Sequence, residues 1–282
     1  MINLLLEPLQ WPFMQNALLI AVIVAIPTAL LSCFLVLRGW SLMGDAISHA
    51  VLPGIILAYV TQVPLIIGAF GAGLLCSGLI GYIADHCRVK YDTVMGVVFS
   101  GMFALGMVLY VKIDSDVHLD HILFGNIMAV TTMDLWQSAI IACVVIGFIT
   151  LKWRDLLLLS FDPAQAKVSG LAARFLHYAL LIMLSLSIVA TLKAAGIIMA
   201  IALLIAPGAT AFLWTKRFVP MMQIAVAVTV FSALSGVYLS YFLDSAPAPT
   251  IVLVLSLIFK VAFWRRVLYS RGQRHIKEQV SP

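Results

Sequence analysis

Apolar runs of about 20 residues, following one another along most of the chain, restrict this sequence more than any other feature. A bilayer offers no hydrogen-bond partners to a peptide backbone, so a run of that length must close its own bonds as a helix. The runs are Asn16–Leu37, Ile47–Val63, Leu65–Ile83, Thr93–Val111, Leu135–Leu151, Phe175–Leu192, Ala195–Trp214, Val219–Leu243 and Thr250–Trp264. Composition agrees: 63% of the residues are hydrophobic and 10% charged, against about a quarter charged in soluble domains. The expected fold is all-α, a polytopic transmembrane helical bundle of eight or nine spans forming one domain over residues 1–282. The second and last runs are the shortest, and in an eight-span version one of them is re-entrant. The first run lacks a basic flank and a small-residue cleavage site, so it is expected to stay as a helix rather than act as a cleaved signal.

Positive charge accumulates on the cytoplasmic side of membrane proteins. With nine spans and the C-terminus cytoplasmic, all 17 Lys and Arg except Lys112 and Lys193 fall inside. The formal net charge of +5 is therefore a topology signal and not a nucleic-acid footprint. Residues 1–14 mix leucines with Glu7, Gln10, Trp11 and two prolines, which suits a segment lying at the lipid surface. Residues 265–282 form a basic cytoplasmic tail. Cys33, Cys76 and Cys143 sit in apolar runs and Cys87 at a cytoplasmic turn, without the paired spacing of a zinc site or disulfide framework, and they read as small buried hydrophobes. Gly68, Gly71, Gly73, Gly78 and Gly81 form a series that lets helices approach closely.

Ionisable groups inside a span are costly and so point to function. Asp45 and His49 lie in GDAISHAVLPG at the start of the second span. Four residues apart on a helix, they stack on one face with Cβ atoms about 5–6 Å apart, so one carboxylate oxygen and one imidazole nitrogen can reach the same cation. That ligand pair suits Mn²⁺, Fe²⁺ or Zn²⁺; thiolates would favour softer metals, and an all-oxygen cage Ca²⁺ or Mg²⁺. Two ligands hold an ion loosely, and a second subunit across a two-fold axis would bring the count to four. A hydrogen bond that staples the helix start and a proton relay are the other readings of the pair.

Two connections are long. The outer one, Lys112–Asp134, carries Asp114, Asp116, His118, Asp120, His121 and Asp134; its HLDH element is either a low-affinity metal entrance, His118, Asp120 and His121 together, or a solvated loop. The inner one, Lys152–Arg174, contains FDPAQAKVSG, where Asp162 is expected as N-cap, Pro163 at the first helical position and Gly170 near the close of a short helix that presents a knob to a soluble partner. Pro207, in AAGIIMAIALLIAPGATAF, predicts a kink or break, either shaping a pore wall or accommodating a neighbour. Asp244 is expected at a solvated outer helix end, and His86, His177 and His275 read as structural or interfacial. The chain has no GxxxxGK[ST] phosphate loop, no serine elbow and no zinc-protease helix. It is not expected to be an enzyme; if ATP drives it, the ATPase is another polypeptide.

Five segments, in order, carry a resemblance: LMGDAISHAVLPG at 42–54, LFGNI at 123–127, FDPAQAKVSG at 161–170, GIIMAIALLIAPGATA at 196–211 and SYFLDSAPAPTIV at 240–252. Together they resemble the membrane permeases of the manganese, zinc and iron (ABC-3 type) family of ABC importers, on the chelated-iron and manganese branch. The resemblance implies a bacterial inner-membrane permease, homo- or heterodimeric, with two cytoplasmic ATPase subunits and a periplasmic or lipoprotein metal-binding protein. It implies no permanently bound cofactor, a transported divalent metal with Mn²⁺ or Fe²⁺ favoured over Zn²⁺, and Asp45 and His49 as ligands along the translocation path. Asp162, Pro163, Ala166 and Gly170 fall in the segment similar to the family's coupling helix, which docks on the ATPase. The SAPAP stretch departs from relatives that carry a glycine there, and the HLDH histidines are not a general feature of the family. A proton-coupled secondary transporter, and a permease for a siderophore or vitamin chelate, are the competing functions.

Overall fold

The computed structural model describes residues 10–112, 127 and 130–280, with side chains described as far as residue 268. Among the described residues there are ten α-helices and no strand: α1 (Pro12–Arg38), α2 (Met43–Ala50), α3 (Leu52–Val60), α4 (Leu65–His86), α5 (Tyr91–Lys112), α6 (Thr132–Phe161), α7 (Pro163–Val168), α8 (Ala173–Trp214), α9 (Phe218–Phe242) and α10 (Pro247–Val280). Seven stretches among them are long and apolar enough to cross a membrane: α1, α2 with α3, α4, α5, α6, α8 and α9.

α1 opens on Pro12, whose missing N–H costs nothing in a first turn. It closes at Gly39, where φ is 67° and a side chain would clash with the backbone. There the Gly39 N–H donates to the Val36 carbonyl and the Trp40 N–H to the Leu35 carbonyl, satisfying two otherwise orphaned acceptors. The chain turns at once into α2. Pro53, near the start of α3, has no N–H to give the carbonyl of His49 four residues earlier, so the helix steps at Val51 and α2 and α3 stay distinct.

At 1.5 Å per residue, the 42 residues of α8 would run about 63 Å, twice the hydrocarbon thickness of a bilayer. The chain reverses inside it at Gly196, where φ is 81° and ψ 178°. Contacts with α1 establish the reversal. His177 bonds Arg38 at the end of α1, Ala194, Ala195 and Met199 pack with Met14, Ala17 and Ile20 near its beginning, and Ala211 returns to Ala29 and Cys33. The two runs Phe175–Leu192 and Ala195–Trp214 are thus the two arms of a hairpin. Of the two expectations for Pro207, a break is ruled out, since the residue lies buried within the continuous helix of the second arm; φ and ψ leave the helical region only at Gly196, between the arms, which has no Cβ to oppose that conformation.

α1 and both arms of α8 form the centre, with Leu31, Phe34, Leu184, Ile188 and Leu204 fully buried. α4, α5 and α6 are peripheral and turn Leu75, Val97, Leu105, Val108, Trp136, Ile140 and Leu151 outward. A soluble monomer does not expose so much apolar surface; a bilayer is the solvent that accepts it.

Where lipid removes the hydrophobic drive between helices, close packing takes over. A Cβ on Gly54 of α3 would run into the carbonyl of Gly68 on α4, and one on Gly68 would run into the carbonyl of Gly54. Gly208 similarly meets the Ser32 backbone of α1, and Gly236 the Ile251 backbone of α10. Within the predicted glycine series, Gly68, Gly73 and Gly81 pack against neighbours, whereas Gly71 and Gly78 face open space.

Three more expectations change. The fifth apolar run continues as helix for ten residues beyond Leu151 to Phe161, because Lys152, Arg154 and Asp155 end its hydropathy without ending its helicity, and the first stop is Asp162–Pro163. Cys143 is exposed, unlike buried Cys33 and Cys76. Pro12 and Met14 already belong to α1, with Met14 fully buried; residues 1–9 of the predicted surface segment lie outside the described residues.

Candidate functional site

α2 carries the Asp45–His49 pair. Asp45 sits in its first turn and His49 in its last, so the partial charges of the helix ends favour a carboxylate at one and a cation near the other. His49 Nε2 lies 3.3 Å from Asp45 Oδ1, and the side chains are 28% and 32% exposed, open enough for a ligand to reach. The rest of the imidazole is walled in. Phe103 and Phe99 of α5 stand 5.5 and 6.1 Å from it, centroid to centroid. Its Nδ1 is buried and has no hydrogen-bond partner among the described residues. The nitrogen on the open side is therefore Nε2, the one that shares space with the carboxylate. Among the described residues no group of three or more His, Cys, Asp or Glu that could hold a metal ion occurs, here or elsewhere.

The sequence did not single out Phe99 and Phe103. Their signal was available, since two phenylalanines four residues apart lie on one helix face, but only the packing of α5 on α2 and α3 turns that face toward His49.

A second cluster of predicted residues stands apart from this pair. Asp162 caps α7: its Oδ1 accepts from the N–H groups of Ala164 and Gln165, each at 2.9 Å. Pro163 is the first helical residue, Ala166 is fully buried against the body of the protein, and Gly170 has φ 75° in the turn that follows. Exposed Gln165, Lys167 and Val168 make up the outward side. His118, Asp120 and His121 lie outside the described residues, as does all of LFGNI except buried Ile127.

At the opposite end of the bundle, Asp134 is not a free acidic group of the outer loop. It pairs with Lys193, just before the reversal of α8, and exchanges hydrogen bonds with Thr131 in a capping box at the start of α6. Lys193 also donates to Gln137 Oε1 at 3.0 Å. Among the described residues His86 bonds its own turn, through Nδ1 to the Tyr82 carbonyl. Asp244 is exposed at the end of α9, with φ 47°.

Residues 10–266 match the ABC 3 transport family. The chain belongs to that family. Within the ABC 3 transport family it is 53% identical over 262 residues to the "Probable iron transport system membrane protein" of Haemophilus influenzae, covering 93% of this chain and 97% of that one. It is 45% identical over 258 residues to the "Manganese transport system membrane protein MntB" of Synechocystis, covering 92% and 84%. Among solved structures it superposes on "PsaBC from Streptococcus pneumoniae in complex with Fab" with a TM-score of 0.83 and 37% identity, covering 93% of this chain and 95% of that one.

Proposed function

We propose that this chain is the transmembrane permease subunit of a bacterial ATP-binding-cassette importer for a divalent transition metal, Mn²⁺ or Fe²⁺ before Zn²⁺. The observation that carries the proposal is the Asp45–His49 pair, one carboxylate oxygen and one open imidazole nitrogen 3.3 Å apart on a membrane helix. The iron and manganese relatives support the choice of cargo. Oxygen and nitrogen donors suit these ions, and two ligands per chain give a site weak enough to release what it binds. A second permease subunit facing this one would complete four ligands. Phe99 and Phe103 hold the ring and keep water from its buried side. Neutral imidazole is the form that binds metal, so acid competes with the ion at His49.

The membrane topology we propose has nine spans. Separating the two arms of α8 turns seven candidate stretches into eight, and the apolar first part of α10 supplies the ninth. With the C-terminus cytoplasmic, α7 faces the cytoplasm, and its capped, rigid turn is the element that docks on a separate ATPase dimer. A periplasmic or lipoprotein metal-binding protein delivers the ion at the opposite face, beside Asp134 and Lys193. At about 51 Å, α10 outruns the bilayer and carries its basic last turns into the cytoplasm.

The test is cellular uptake with Asp45→Ala and His49→Ala. Each abolishes accumulation of Mn and Fe, measured by elemental analysis, while the permease still co-purifies with its ATPase. Wild-type accumulation of Mn, Fe and Zn in both variants removes the pair from the transport path.

A further inference from the structure

Away from the Asp45–His49 pair, a guanidinium stands where four segments of the fold meet. Arg38, the last residue of α1, donates through Nε to Ser160 Oγ at 3.1 Å and through Nη1 to His177 Nδ1 at 3.3 Å. Its guanidinium carbon lies 4.6 Å from the centroid of the Trp40 ring. Trp40, 6% exposed, stacks on Tyr91 at 4.8 Å and meets the edge of His177 at 5.3 Å. Ser160 lies two residues before Asp162, the cap of α7. Trp40 lies three residues before Met43, where α2 begins. Tyr91 opens α5, the helix whose phenylalanines flank His49, and His177 lies in the first turns of α8. One side chain thus bonds the segment entering α7 and packs on the segment entering α2.

The node is also short of acceptors. Arg38 has no ion pair among the described residues, and three of its buried polar atoms, Arg38 Nη2, Tyr91 Oη and His177 Nε2, have no hydrogen-bond partner there. Arginine only donates, so His177 Nδ1 must accept from it, and neutral His177 then carries its proton on the orphaned Nε2. The Arg38 guanidinium is half-buried, with Nη2 withdrawn from solvent, so its hold on these segments is loose rather than a permanent staple.

We propose that Arg38 is a positioning residue that couples α7 to α2: displacement of α7 acts on Ser160, shifts the guanidinium, and through Trp40 moves the helix that bears Asp45 and His49. The inference rests on reading α7 as the ATPase-docking element.

The experiment uses the complete importer, with its ATPase, second permease subunit and binding protein, reconstituted in liposomes; it measures ATP hydrolysed per Mn²⁺ imported. Arg38→Met keeps the apolar stem and removes the bonds, and Ser160→Ala cuts only the link toward α7. Both raise the ATP-to-Mn²⁺ ratio, by about tenfold if the node carries a coupling of ordinary strength. A merely structural residue lowers hydrolysis and import together and leaves the ratio unchanged. If Arg38→Met does not assemble, Ser160→Ala decides. A wild-type ratio in the variant that assembles overturns the node while leaving the permease reading intact; a wild-type complex that imports no Mn²⁺ with ATP overturns that reading instead.

Discussion

Gly54 is the position where a single methyl group should do most damage to the fold. Its added Cβ would meet the carbonyl of Gly68 and the Cβ of Ala72, and the backbone it strikes cannot rotate away as a side chain tip could. Overpacking of this kind costs about 3 kcal/mol, the upper end of its usual range. Against that, alanine in place of glycine gains about 1 kcal/mol of helix propensity. The net loss for Gly54→Ala is about 2 kcal/mol, which for a chain of 282 residues lowers the midpoint of thermal unfolding by about 3–4 °C. Gly71→Ala, in the same glycine series but with nothing within 4 Å of the new Cβ, keeps only the propensity term and melts no lower than wild type. Thermal unfolding of the purified chain in detergent, followed by size-exclusion chromatography, measures both. The packing argument fails if Gly54→Ala melts within about a degree of wild type, or if Gly71→Ala loses as much as Gly54→Ala.

Asp162→Ala removes the acceptor for two N–H groups of α7 and costs that helix about 1 kcal/mol; faster amide hydrogen exchange at residues 164–168 and weaker co-purification of the ATPase are expected, and unchanged exchange would refute the cap. At the other end, Asp134→Ala loses both the capping box and the bond to Lys193, whereas Lys193→Met loses a half-exposed pair worth at most about 1 kcal/mol and an exposed bond to Gln137. Asp134→Ala therefore melts lower than Lys193→Met, and equal midpoints would show that the cap contributes no more than the exposed Gln137 bond.

The apolar runs could be read from the sequence because lipid allows an isolated run of that length hardly any structure but a helix. The Asp45–His49 pair was legible for a related reason. A spacing of four is local geometry, and it survives whatever the rest of the chain does. The same holds for Asp162 and Pro163, whose capping roles depend only on the residues that follow them.

What could not be read depends on which faces meet. Hydropathy treats Gly71 and Gly68 alike, yet one faces open space and the other α3. The sequence separates the two apolar runs after Ala173 but does not show which residue turns the chain: that is Gly196, where packing of both arms on α1 selects a conformation that glycine alone adopts without strain. Phe99 and Phe103 against His49, and Arg38 against Ser160 and His177, join residues separated by tens to more than a hundred positions. The sequence by itself determined that the chain is a membrane bundle with a carboxylate and an imidazole on one helical face. Tertiary structure decided which nitrogen of that imidazole is open and which distant segments lean on its helix, because those depend on contacts that no local periodicity encodes.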